Sequence, residues 1–298
     1  MNAQAQAERA AATRLAGPSK LLVGLIGAGI QKSLSPAMHE EEARAQGLQL
    51  HYQLIDLDRT PEGAASLPTL LRSARTMGFA GLNITYPCKQ AVTPLLDELS
   101  DEAAAMGAVN TVVLRDGRAV GHNTDGSGWA WGFTRTLPNA DVARVVLLGA
   151  GGAGSAIAHA ALRLGAAELR IVDADAGRAR QLADELARRY PKARIGGGDD
   201  PASVLADATG LIHATPTGMD KLPGLPLPAH LLRPELWVSE IVYFPLETAL
   251  LKAARAAGCA VCDGGTMAVG QAVGAFRLFT GLEPDAERMR RHFLQLIA

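Results

Sequence analysis

Short apolar runs alternate with longer stretches whose apolar residues recur at helical spacing. The pattern predicts strands over 20–26, 48–57, 81–85, 107–113, 145–148, 168–172, 211–214, 236–242 and 259–262. It predicts helices over 36–46, 67–77, 88–99, 156–164, 179–189, 247–257 and 285–297. Two further helices start near Gly126 and just after Gly265. Arg115 to Arg118 reads as a hairpin turn, Gly196 to Gly198 as a loop, and the proline-rich 221–228 as a connector. Strands that are apolar throughout, such as Val145 to Leu148, suit parallel sheets covered on both faces. The fold class expected is therefore α/β, and a length of 298 residues suggests two domains.

One stretch organises the second half. The strand 145–148 runs into Gly149-Ala150-Gly151-Gly152-Ala153-Gly154, and a helix follows. Gly149, Gly151 and Gly154 fit G-x-G-x-x-G in a strand–turn–helix context, the opening of a dinucleotide-binding βαβ unit. Gly149 allows the turn, Gly151 admits a pyrophosphate, and Gly154 lets helix and strand close up; the helix N-terminus favours the phosphates. Asp173 ends the next strand, where a carboxylate binds both ribose hydroxyls of NAD and repels the 2′-phosphate of NADP. Gly27-Ala28-Gly29 after the first strand is a decoy, because Lys32 stands in place of the third glycine.

Candidate chemistry gathers in the first half. Ser35 before Pro36 is a helix N-cap pattern, so capping alone explains it. Ser33 has no such explanation, and two hydroxyls after a strand can hold a polyhydroxylated ligand. Lys89 falls in the first turn of the helix expected over 88–99, an unfavourable place for a cation. It reads equally as a proton carrier or a surface lysine. Asp125 precedes a helix and reads as a cap.

Composition narrows the classes. A net charge of −1 gives no footprint for nucleic acid or an anionic membrane. No apolar run is long enough to cross a bilayer, and residues 1–20 lack a signal-peptide core, so they are expected to be a loose tail on a cytoplasmic protein. Three cysteines make no disulfide framework. Cys259 and Cys262 spell C-x-x-C, but on a strand residues three apart face opposite ways, so no metal site is expected.

Taken in order, Ser33-Leu-Ser35-Pro36, Gly81-Leu-Asn-Ile-Thr-Tyr-Pro-Cys-Lys89, Gly107-Ala-Val-Asn-Thr111, Asn123-Thr-Asp125, the glycine turn, Val242-Tyr243 and Met267 to Gln271 form a set. With these motifs the chain resembles the shikimate and quinate dehydrogenases over about residues 20–298. The resemblance implies an N-terminal α/β substrate domain over 21–124, rejoined by C-terminal helices over 266–298, and a Rossmann-type NAD-binding domain over 125–265. It implies an active site in the cleft between them, working on a small-molecule substrate as a monomer or homodimer. By the same resemblance Lys89 and Asp125 are the catalytic pair. Ser33, Ser35, Thr85, Asn110, Tyr243 and Gln271 hold the substrate. The glycine turn, Asp173, Arg178, Ile241 and Gly264 line the cofactor.

Three departures qualify this. Asp173-Ala-Asp175 replaces the Asn-Arg-Thr of many NADP-using members, and Arg178 lies too far along to serve as a phosphate clamp, so NAD is expected over NADP. His213 stands where the family often has Asn. Ser35 stands where the quinate-preferring branch often has Thr, which leans the substrate toward shikimate, with quinate as a second. The alternatives are an aminoshikimate-type or other cyclic hydroxy-acid paralogue and a catalytically silent NAD-binding sensor. A folate-type dehydrogenase fits less well, because Ser33, Ser35 and Gln271 suit a small polyol acid.

Overall fold

The computed structural model describes residues 20–198 and 200–298. The tail expected over 1–20 therefore lies, Lys20 apart, outside the described residues. The chain divides into two compact units, one of residues up to 98, 111–120 and 276–298, the other of 99–110 and 121–275. The expected boundaries at 124 and 266 thus compare with observed divisions at 120 and 275, and the segment 99–110 belongs to the second unit.

The first unit is built on a six-stranded sheet. Its strands are β1 (Lys20–Gly27), β2 (Gln49–Asp56), β3 (Gly81–Ile84), β4 (Glu98–Leu99), β5 (Thr111–Arg115) and β6 (Arg118–His122), in the order β2-β1-β3-β5-β6-β4. β1 lies parallel to both β2 and β3, so their C-terminal ends share an edge, while β5 runs antiparallel to β3. Helices α1 (Ser35–Ala45) and α2 (Leu67–Thr76) connect these strands. Two expectations fail here. The stretch 88–99 is no α-helix but turns, a 3-10 turn at Thr93–Leu95 and β4. Pro94 removes a backbone donor in the middle of this stretch. The strand expected over 107–113 starts only at Thr111. A short helix, α3 (Asp101–Met106), precedes it, capped by the Ser100 hydroxyl and ended by Gly107 at φ 59°.

The second unit is a doubly wound parallel sheet. Its strands are β7 (Arg144–Leu148), β8 (Glu168–Val172), β9 (Arg194–Gly198), β10 (Gly210–His213), β11 (Trp237–Glu240) and β12 (Ala260–Cys262), in the order β12-β11-β10-β7-β8-β9 with every pairing parallel. Around it lie α4 (Asp125–Thr136), α5 (Gly152–Arg163), α6 (Ala176–Arg189), α7 (Pro201–Leu205) and α8 (Ala249–Ala256). Alternate residues of β7 feed two cores. Val145 and Leu147 pack with Trp129, Phe133, Ile157 and Leu186, whereas Val146 and Leu148 pack with Leu205, Leu250 and Ala254. Cys259 and Cys262 fall into opposite cores, as their spacing on a strand requires.

The glycine run 196–198, expected as a loop, is the edge strand β9. A side chain at Gly197 would stand 2.4 Å from the Ala179 carbonyl oxygen, so glycine lets α6 close onto this strand. Two last helices follow: α9 (Gly264–Thr280), which begins in the second unit and ends in the first, and α10 (Ala286–Ile297). Among the described residues no helix is long and apolar enough to cross a membrane.

Candidate active site

In the first unit, candidate residues follow the C-terminal ends of β1 and β3. Ser35 is not the N-cap of α1. It is the first helical residue, Leu34 is the cap, and no side chain caps the helix. The Ser33 hydroxyl instead accepts the Ser35 backbone N–H at 3.3 Å. Ser35 meets the buried Tyr52 hydroxyl, which burial pushes up in pKa. Tyr52 in turn donates to Asn83 Oδ1 at 2.7 Å, and Asn83 Nδ2 donates to Thr111 Oγ1 at 3.0 Å. Sequence reasoning assigned neither Tyr52 nor Asn83 a role, though Asn83 sits inside the Gly81-to-Lys89 motif. Thr85 donates its N–H to Ile26 on β1, and its methyl packs where Gly27 has no side chain: a Cβ there would stand 2.2 Å from Thr85 Cγ2. This close approach explains a glycine that mimics a dinucleotide turn. Lys89 lies in the turn after β3, half-buried, so the helix-dipole argument for it does not apply.

In the second unit, Asp125 is the first residue of α4 and fully buried. Its carboxylate accepts from Asn110 Nδ2 at 2.8 Å, and its N–H is held by Asn123 Oδ1 at 2.9 Å. Asn110 is fixed in turn, giving a second N–H to Thr124 Oγ1 at 3.0 Å and accepting the Thr124 N–H at 2.8 Å. Asp125 is therefore more than a cap: three buried polar residues, Asn110, Asn123 and Thr124, set where its carboxylate points. Gln271 comes alongside because α4 and α9 cross glycine on glycine, a Cβ at Gly128 falling 2.6 Å from the Gln271 nitrogen.

The glycine turn takes its expected form. Gly149 has φ 106°, and a Cβ at Gly154 would stand 1.9 Å from the Gly149 oxygen. Gly151 and Gly152 face open space at the start of α5. A pyrophosphate fits these features: bare backbone at Gly151 and Gly152 and free N–H groups at a helix start. Asp173 is tied to the turn, accepting from Ala150 N at 2.8 Å and Asp175 N at 2.9 Å. Arg178 lies near this carboxylate. The first turn of α6 folds it back, so that its guanidinium stands 4.0 Å from Asp173 and 3.6 Å from Asp175 while staying exposed.

Past the ends of β11 and β12, Ile241 and Gly264 come together. A Cβ at Gly264 would lie 2.6 Å from the Ile241 oxygen and 2.3 Å from that of Val242. Tyr243, next in the chain, is 42% exposed. Beneath them is a pair that sequence reasoning did not see. His213 Nδ1 lies 2.8 Å from Glu240 Oε1, both side chains wholly buried. The pairing follows from β10–β11 register, which sets His213 opposite Glu240, and no local signal carries that register.

Comparison with known proteins gives the following. A family described as the shikimate dehydrogenase substrate binding domain matches residues 25–112, and one described as the shikimate 5′-dehydrogenase C-terminal domain matches 264–292. A shikimate dehydrogenase (NADP(+)) of Streptomyces avermitilis is 58% identical, with 92% of this chain and 95% of that protein covered. A quinate/shikimate dehydrogenase (NAD(+)) of Corynebacterium efficiens is 50% identical over 93% of this chain and 98% of its own. A quinate dehydrogenase from Corynebacterium glutamicum, solved in complex with NAD, superposes with a TM-score of 0.89 at 48% identity, covering 93% of this chain and 99% of that one.

Proposed function

From the premise that this chain belongs to the shikimate dehydrogenase family, we propose that it interconverts shikimate and its 3-ketone, favours NAD as the nicotinamide partner, and accepts quinate as a second substrate. The observation that carries the cofactor reading is Asp173. Its carboxylate, locked by two backbone N–H groups at the end of β8, is an acceptor for ribose hydroxyls and a repulsive neighbour for a 2′-phosphate. A second reading, NADP use, has its own support. Arg178 stands beside Asp173 and could offset that repulsion, and the Streptomyces avermitilis relative is named for NADP.

The nicotinamide dinucleotide, when bound, supplies the hydride acceptor or donor. The glycine turn, Asp173, Arg178, Ile241 and Gly264 are the proposed holders of it. Ser33, Ser35, Thr85, Asn110, Tyr243 and Gln271 are the proposed holders of the substrate's carboxylate and hydroxyls. Lys89 and Asp125 share the proton that leaves or returns at the reacting hydroxyl. Asp125 is aimed by Asn110 and Asn123. Ser35 lacks the methyl of Thr and its hydroxyl is held at Tyr52, which favours shikimate; one methyl is worth only about 1–3 kcal/mol.

The test is initial rates followed by reduced-nicotinamide absorbance, for shikimate and quinate each with NAD and NADP. NAD with shikimate should be fastest. Faster turnover with NADP would overturn the Asp173 argument in favour of Arg178, and no turnover in any combination would overturn the substrate reading. Lys89→Ala should lower turnover by orders of magnitude with little change in cofactor affinity; near-normal turnover would remove Lys89 from the chemistry.

A further inference from the structure

The His213–Glu240 pair has no place in the reaction above, yet it is the most fully buried ionisable pair at the strand ends of the second unit. Glu240 has four donors. Oε1 accepts from His213, from Ile241 N at 2.9 Å and from Val242 N at 3.0 Å; Oε2 accepts from Thr248 Oγ1 at 3.0 Å. Oε1 already accepts two backbone N–H groups and so is an acceptor, which gives His213 Nδ1 the proton of that bond. The other ring nitrogen, Nε2, lies 2.5 Å from Thr215 Oγ1, which also accepts the Thr217 N–H at 3.3 Å.

Thr215 lies against the glycine turn. The Cβ position of Gly149 is 3.1 Å from Thr215 Cγ2 and 2.6 Å from the Ala214 oxygen. A continuous strut therefore runs from the backbone of Ile241 and Val242, through Glu240 and His213, to Thr215 and Gly149. Its ends are two separate segments at the C-terminal edge of the sheet. The sheet order reverses between β7 and β10, and ligands of doubly wound sheets bind outside that switch point.

We infer that His213 is a positioning residue for the dinucleotide: it transmits the placement of the Ile241–Val242 segment to Thr215, and so fixes the glycine turn in its binding shape. The inference rests on reading this unit as dinucleotide-binding. Neither His213 nor Glu240 need touch the cofactor. Because both are buried among satisfied partners, the strut has one length, and shortening it frees Thr215 to turn away from Gly149.

The test measures the NAD dissociation constant by titration calorimetry, which needs no turnover, alongside thermal unfolding. His213→Asn keeps a donor in reach of Glu240 but cannot reach Thr215. Thr215→Val keeps the packing on Gly149 and removes the hydroxyl. Each should weaken NAD about five- to tenfold, as losing one buried hydrogen bond implies. The double variant should be no weaker than either single one, because both cut the same strut. Thr215→Ser keeps the hydroxyl but loses the methyl against Gly149, so it should weaken NAD as well. Dissociation constants within twofold of the parent in both single variants, even with a lower melting temperature, would reduce the pair to a structural one. Additive losses would also overturn it. Should His213→Asn fail to fold, Thr215→Val carries the test alone, its NAD dissociation constant read beside its melting temperature. Absence of turnover with shikimate and quinate would sink the substrate reading and leave the binding measurement intact.

Discussion

His39 shows how one buried side chain makes a fold sensitive to acid. Its Nδ1 lies 2.9 Å from the Ser35 carbonyl oxygen, which can only accept, so Nδ1 holds the proton. Nε2 faces Tyr52, Phe276 and Phe279 with no hydrogen-bond partner among the described residues. Protonating it would bury a charge among rings, and desolvation lowers the pKa from 6.5 to about 4, against the smaller opposing effect of the Ser35 bond. The folded state thus binds the proton more weakly than the unfolded chain. Stability from this site is full above about pH 6.5 and is lost as pH falls toward 4, about 2 kcal/mol of it by pH 5. Denaturant unfolding of parent and His39→Leu at pH 7.5 and pH 5 should show the parent losing about 2 kcal/mol more than the variant. An equal loss in both would remove His39 from the acid response. The sequence offered only a histidine on a helix here; its burial depends on Phe276 and Phe279, more than 230 residues on, which no local pattern announces.

Glycines that look alike in the turn after β7 act differently, and the contrast can be measured. Gly154 touches protein, so Gly154→Ala forces its Cβ to within 1.9 Å of the Gly149 oxygen and must move α5 off β7. A Cβ at Gly151 would meet no protein atom within 4 Å, and its φ of −78° is ordinary, so Gly151→Ala leaves the fold undisturbed and occupies the space proposed for the pyrophosphate. Gly154→Ala should lower the unfolding free energy by about 1–3 kcal/mol, as overpacking does. Gly151→Ala should hold the parent's melting temperature while weakening NAD at least tenfold. Equal melting losses in both would show that the turn's glycines serve packing alone. This element was legible because its signal is local: apolar strand, glycine spacing, helix. The turn around Lys89 was misread because apolar residues after Pro87 imitate a helix until Pro94 breaks it. β9 was missed because glycine is a poor strand former, and what selects it there is α6, a neighbour in space. The pairing of His213 with Glu240 was hidden for the same reason, since it follows from strand register.

The two units are not independent lengths of chain. The divisions fall at 98, 110, 120 and 275, and they cut through β4, β6 and α9. A strand such as β6 cannot stay paired over Arg118–Val120 while its last two residues unfold without losing ladder bonds at its end. A helix cut at 275 would likewise have to expose its backbone there. Melting either unit alone therefore damages elements of the other. Heat should unfold the chain in one cooperative transition, though each unit has its own sheet. A ligand held by the second unit must then raise that single transition. NAD at about 100 times its dissociation constant adds about 2.7 kcal/mol to the folded state. In a protein of 298 residues that corresponds to a rise of about 4 °C. Scanning calorimetry with and without NAD decides the matter: a single peak displaced upward as a whole is expected. Two peaks, of which NAD moves only one, would mean that the shared strand and helix do not couple the units.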